Sequence, residues 1–201
     1  MLNKSIFPLF FTVKQRGNMK NKGKIFEEDW KKSNPENSFL VRLHDSPQVF
    51  NQSDLTKFTV ENMCDYISFD TTGCKLYCME LKSTCQKAMS FQTDENDRSN
   101  KMIKWHQIKS LRKAGAYRNI VSGFVLNFRC FEDDKTKYFQ TTYFMKIDDF
   151  DKMIQTCDKK SFNLIDVIKN GGIKVDGERK RTRYSWDIDG LYEKFRKDKA
   201  E

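Results

Sequence analysis

The sequence predicts an α/β fold, with helices packed around a mixed central sheet. Three observations carry that reading. Segments with strand character alternate with segments at helical spacing, in the order helix, three strands, helix, two strands, helices. One run, GFVLNFR at 123–129, is nearly continuous in apolar residues, as a strand covered on both faces has to be. The chain has 201 residues with 17 Phe, 7 Tyr and 3 Trp, enough to fill one sizeable core and too aromatic for a disordered chain.

The first helix is expected over 23–33, GKIFEEDWKKS, where Phe26 and Trp30 share a face. FLVRLH, 39–44, reads as a strand that ends in the turn signal Ser46-Pro47. Residues 48–62 are polar and irregular. CDYISFD, 64–70, and KLYCMELKS, 75–83, read as two strands of a hairpin joined at Thr71-Thr72-Gly73. A polar loop at 92–100 precedes a helix over 101–114, KMIKWHQIKSLRKA. After the strand at 123–129 comes another at 137–147, then short helices at 148–155 and 161–169. The tail reads as loop, a basic stretch and a closing amphipathic piece at 189–197. Residues 1–18 read as a disordered N-terminal extension and 19–201 as a single domain.

There are 37 Lys and Arg against 28 Asp and Glu, a net charge of +9, which favours a polyanionic partner and most simply nucleic acid. Six cysteines contain no CxxC pair, and only His44 and His106 could join them, so a zinc site is not the expectation; reduced cytoplasmic thiols are. SIFPLFFTV near the start is short and interrupted by Pro8, so neither a signal peptide nor a membrane span is expected.

The chemistry lies in MELKS, 79–83. Successive strand residues point to opposite faces, so Leu76, Cys78, Glu80 and Lys82 share one face and Tyr77, Met79 and Leu81 the other. A carboxylate and an ammonium in a mostly apolar strand are costly unless they are paired or coordinate a metal. If 64–70 and 75–83 pair as a hairpin, Asp65 stands beside Glu80. Two carboxylates suit Mg²⁺, which takes oxygen ligands and keeps waters for chemistry. A neighbouring lysine then serves charge on a phosphate or an attacking water. Gln107 is a polar group on the apolar stripe of its helix, and Glu27 stands beside the packed Phe26. A surface Glu–Lys pair on an edge strand is the competing reading of the same residues.

Glu27 in GKIFEEDW, Asp65 in MCDY, Glu80 and Lys82 in MELKST, His106-Gln107 in KWHQIKSL and the following SGFVLNF occur in the order seen in RecU-like Holliday junction resolvases. From about Gly23 to RYSWDIDGLYEKF the chain resembles that family, which belongs to the PD-(D/E)XK nuclease superfamily. The resemblance implies a restriction-endonuclease-like fold for the single nuclease domain. It also implies a homodimer in the bacterial or phage-infected cytoplasm that binds four-way DNA junctions and cuts two strands of like polarity. Carried over, Asp65 and Glu80 would ligate Mg²⁺, with Mn²⁺ as a substitute, and Lys82 would serve the attacking water and the scissile phosphate. Glu27 would sit at the edge of the metal site and Gln107 would support it. The family has Thr before its aspartate where Cys64 stands here, and its spacer to the glutamate is shorter, which leaves Asp70 as a rival ligand on the opposite strand face. The family's projecting stalk would fall at 46–62, a short segment for it.

Arg179, Lys180, Arg181 and Arg183 form the densest basic run and are expected to grip DNA phosphates beside the active site. Two other readings remain open. One is a related PD-(D/E)XK nuclease, restriction-like or nicking, acting on other DNA. The other is a DNA-binding recombination module without catalysis.

Overall fold

The structure, a computed structural model, describes residues 22–43, 62–131, 138–157 and 159–197. The expected extension at 1–18 and nearly all of the short stalk segment at 46–62 lie outside the described residues.

A six-stranded mixed sheet divides the molecule into two apolar layers. Its strands are β1 (Ser38–Arg42), β2 (Tyr66–Asp70), β3 (Lys75–Thr84), β5 (Ile120–Phe131), β6 (Tyr138–Lys146) and β8 (Ile173–Val175), hydrogen-bonded in that order. Only β3 and β5 run parallel, and the remaining neighbours are antiparallel. A parallel pair needs a long crossover. Here it holds the short strand β4 (Ala88–Ser90) and helix α2 (Trp105–Gly115). β5 is the central strand, and each residue from Ser122 to Arg129 is buried, as its apolar run predicts.

One layer packs Cys78, Phe124, Leu126 and Met145 against α2, α3 (Ile147–Thr156) and α4 (Leu164–Lys169), through Ile108, Leu111, Phe150, Met153 and Val167. The other packs Tyr77, Met79, Leu81 and Val125 against α1 (Lys22–Lys32), α5 (Ile188–Lys197) and a hairpin of β9 (Gly177–Arg179) and β10 (Tyr184–Trp186). The alternation read from KLYCMELKS is thus the alternation of the two layers. Phe26 and Trp30 of α1 enter the second layer together, and Lys31 and Lys32 at its last turn suit the negative end of the helix dipole.

Two helices start later than the sequence reading has them. Ser161–Asn163 is not helical: it forms strand β7, paired with β4, and the helix starts only at Leu164. Asn163 is the reason, because its side chain accepts the Ile165 and Asp166 amides while Asp166 accepts the Asn163 N–H. That reciprocal cap fixes where the helix can start. The helix expected from 101 begins at Trp105, since Ile103 is committed to a bridge with Phe91.

The β2–β3 hairpin turns on Asp70. Its carboxylate accepts the Thr72 and Gly73 amides at 3.1 and 3.0 Å and takes a two-pronged grip from Arg196 of α5 at 2.8 and 2.7 Å. A side chain at Gly73 would collide with that carboxylate and with Arg196, and Cys74 closes the turn at φ 49°. Asp70 is fully buried, on the face of β2 away from Asp65, so this rival candidate is held as a structural ion pair. Arg196→Leu should strand its carboxylate and cost about 3 kcal/mol of unfolding free energy in a urea titration. Asp70→Asn, which removes the stranded charge, should cost less.

Candidate functional site

Tyr66 lies opposite Met79 and Ile67 opposite Cys78, so the same register carried back one residue sets Asp65 against Glu80. Asp65 stands just before β2, where two neighbours fix it. Its backbone carbonyl accepts the Leu43 N–H at 2.9 Å, and its Oδ2 accepts the Leu81 N–H of β3 at 2.8 Å. The carboxyl group is therefore aimed along the end of the sheet rather than left to rotate in solvent.

Glu80 is 5% exposed. Lys82 Nζ donates to its Oε1 at 2.9 Å, and Gln107 Nε2 of α2 donates to the same oxygen. The other end of the Gln107 amide accepts the Lys104 N–H at 2.9 Å. Both ends are thus used, which fixes the amide's orientation and ties the start of α2 to β3. Lys104 supplies no capping oxygen for this helix; Gln107 and Gln92, whose Oε1 accepts the Trp105 N–H at 2.8 Å, take that work instead. Burial pushes the Glu80 carboxyl up to about 7, Lys82 pulls against it, and the facing Asp65 carboxylate adds to the rise.

The structure brings together Asp65, Glu80, Lys82 and Gln107, four of the five residues expected at the site. Glu27 approaches from the other layer. It pairs with Arg42 of β1, and its proton affinity is raised, first by burial and also by the Asp65 charge. Arg42 is a partner that the sequence reading lacked, and as a strand residue with no motif around it nothing marked it. The basic run forms the turn of the β9–β10 hairpin, in the layer of α1, so it does not flank Glu80 on the α2 face. Arg179, Lys180 and Arg181 are exposed there.

Among the described residues, no three His, Cys, Asp or Glu side chains converge as a ready-made metal cage. Cys74 is exposed in the hairpin turn while Cys78 is buried in the core. Among the described residues, Cys64, Cys74, Cys78, Cys85 and Cys157 form no disulfide. The Asp65–Glu80 pair is a donor set of the smaller kind, suited to a hard cation that takes one or two carboxylates and completes its shell with water. A carboxyl that retains a proton near neutrality beside a second carboxylate is one that a cation would relieve of it.

This pair has a measurable signature. Glu80 binds its proton more tightly in the fold than at its ordinary value of 4.5, so its contribution to stability is complete below that pH and is lost as pH rises through about 7. Without divalent cations, thermal scans should show Tm falling from about pH 5 to about pH 8, and Glu80→Gln should flatten that slope.

No family model matches the chain. It is 30% identical over 183 residues to the SPbeta prophage-derived uncharacterized protein YotM of Bacillus subtilis (strain 168), a match covering 85% of each chain. No helix among the described residues is long and apolar enough to cross a membrane. With that identity over that span, the chain belongs to the family of YotM.

Proposed function

We propose that the chain is a metal-dependent endodeoxyribonuclease with a restriction-endonuclease-like, PD-(D/E)XK fold. In this reading it resolves four-way DNA junctions, as a homodimer, in recombination and repair in a bacterial or phage-infected cytoplasm. The supporting observation is the pairing of Asp65 with Glu80 across β2 and β3, with Lys82 next to Glu80 on the same face. The prophage origin named for the relative fits such a setting.

Mg²⁺, or Mn²⁺ in its place, would polarise a phosphate oxygen and lower the pKa of a bound water. Asp65 and Glu80 supply the carboxylates that hold it. Lys82 offers its remaining N–H donors to the attacking water or to charge building on the phosphate. Gln107 is a positioning residue: it keeps the Glu80 oxygen where β3 and α2 meet. Glu27, tied to Arg42, borders the site. Basic side chains hold the phosphates that flank the cut, which separates binding from chemistry. Arg179, Lys180, Arg181 and Arg183, on the α1 side of the sheet, are the densest group for phosphates farther along the DNA.

A synthetic four-way junction should be cut with Mg²⁺ and not without it, and linear duplex should be cut far less. Equal cutting of both would favour a related nuclease on other DNA, and binding without cutting would favour a silent module. Glu80→Gln should abolish cleavage and retain junction binding, while Gln107→Ala should raise the Mg²⁺ requirement about 10- to 100-fold. Paired cuts need two sites related by a two-fold axis, so sedimentation should show a dimer.

A further inference from the structure

We infer that the hollow beneath the β9–β10 hairpin seats one unpaired nucleotide, which rests on the reading of DNA as substrate and names what makes a DNA suitable. The hollow has a volume of ≈ 210 Å³ and lies between α1, the hairpin and β6. Its walls include Ile25, Phe26 and Tyr184, with Asp29, Gln140 and Arg183 as polar groups. Arg179 and Arg181 also border it.

That combination differs from what a duplex backbone requires. Phosphates in a duplex are held by exposed basic and polar groups and need no apolar wall. A base taken out of its stack needs aromatic surface, hydrogen-bonding groups for its edge, and cations for its phosphate. Tyr184, half-buried, supplies the aromatic surface, and the buried Phe26 lies at the wall behind it. Both are braced: Tyr184 stacks on Trp186 at 5.3 Å between centroids, and Trp186 meets Phe26 edge-on at 5.7 Å. Asp29 is 5% exposed, and its Oδ2 accepts the Tyr184 N–H at 3.0 Å. The Gln140 Oε1 accepts from Asn127 at 3.2 Å, which fixes the orientation of that amide at the wall. Arg183 carries a buried Nη1 with no hydrogen-bond partner among the described residues. A buried donor left unpaired is costly, and a base edge or a phosphate oxygen would satisfy it.

The hollow also connects physically to the candidate site. Gln140 bonds Asn127, and Asn127 accepts from Ser83, the residue after Lys82, at 2.6 Å. Both features therefore lie toward the same end of the sheet, on opposite layers. Branched or bulged DNA offers unpaired nucleotides at its discontinuity, and perfect duplex does not.

The test is a binding titration in EDTA with two duplexes that differ only in one bulged 2-aminopurine nucleotide. The full-length chain should bind the bulged duplex about tenfold more tightly, with a change in 2-aminopurine fluorescence as the base stacks. Gln140→Ala and Tyr184→Leu should each bring the two affinities together, and circular dichroism checks that each variant is folded. The double change Arg179→Ala with Arg181→Ala should instead weaken both duplexes alike. Equal affinities for the wild-type chain, or a bulge preference that survives both pocket substitutions, would overturn the inference. Because no metal is present, a chain that never cleaves DNA would sink the nuclease reading without touching this result. A chain that cleaves junctions but ignores the bulge would do the reverse.

Discussion

The two-pronged pair between Asp70 and Arg196 holds the register on which the candidate site depends. It joins the β2–β3 turn to the last helix of the chain, so residues far apart in sequence cooperate to fix one hairpin. The pairing Asp70 with Lys75 follows from that turn, and the pairing of Asp65 with Glu80 follows from counting outward. A slip of one residue would send Glu80 and Lys82 into the aromatic layer around Tyr77 and Tyr192 and bring Leu81 out in their place. α5 reinforces the same strands elsewhere: Tyr192 stacks on Tyr77 at 4.3 Å and donates to Ser68 at 2.7 Å.

At the other end of the hairpin the energetic balance is different. Asp70 is buried with its countercharge and with amide donors, and its carboxyl sits below its usual range despite burial. Glu80 is buried beside another carboxylate, and its single lysine does not offset the cost. One hairpin thus carries two buried acids, one whose charge the protein fully offsets and one whose charge Lys82 offsets only in part. The second is anchored through Gln107, an amide that also serves the start of α2. Any movement of that helix start would be felt at the Glu80 oxygen.

Much of this was legible in the sequence because it rests on period-2 alternation. KLYCMELKS assigns its residues to two faces by strand parity, and the apolar run at 123–129 reads as a covered central strand, so the layers follow from the sequence; the pairing of Asp65 with Glu80 follows once 64–70 and 75–83 form a hairpin. What was missed has physical reasons. β7, β8, β9 and β10 have three residues each, too few to show a period, and their existence depends on partners distant in sequence. Phe162 continues the apolar spacing of 161–169 and extends the expected helix three residues too far, although Asn163 and Asp166 carry a capping signal that marks the true start. The layer assignment of the basic run was not legible, since charge density says nothing about which side of a sheet a hairpin folds onto. Gln92 stands in a stretch that reads as a polar loop, and its role at the first turn of α2 depends on that loop folding back.

The β2–β3 turn has a consequence for how relatives of this chain diverge. Residues added at 71–74 would enlarge a loop and leave every pairing from Asp70 and Lys75 outward unchanged. A residue added within β3 would invert the faces of everything beyond it. Evolutionary gaps should therefore accumulate at the turn, while the count from Lys75 to Glu80 stays fixed. Homologues in which the two acids stand farther apart or closer together in sequence would keep them facing each other in space. A search pattern built on one fixed interval would pass over such homologues, and one that tolerates a variable turn between two rigid strand halves would recover them.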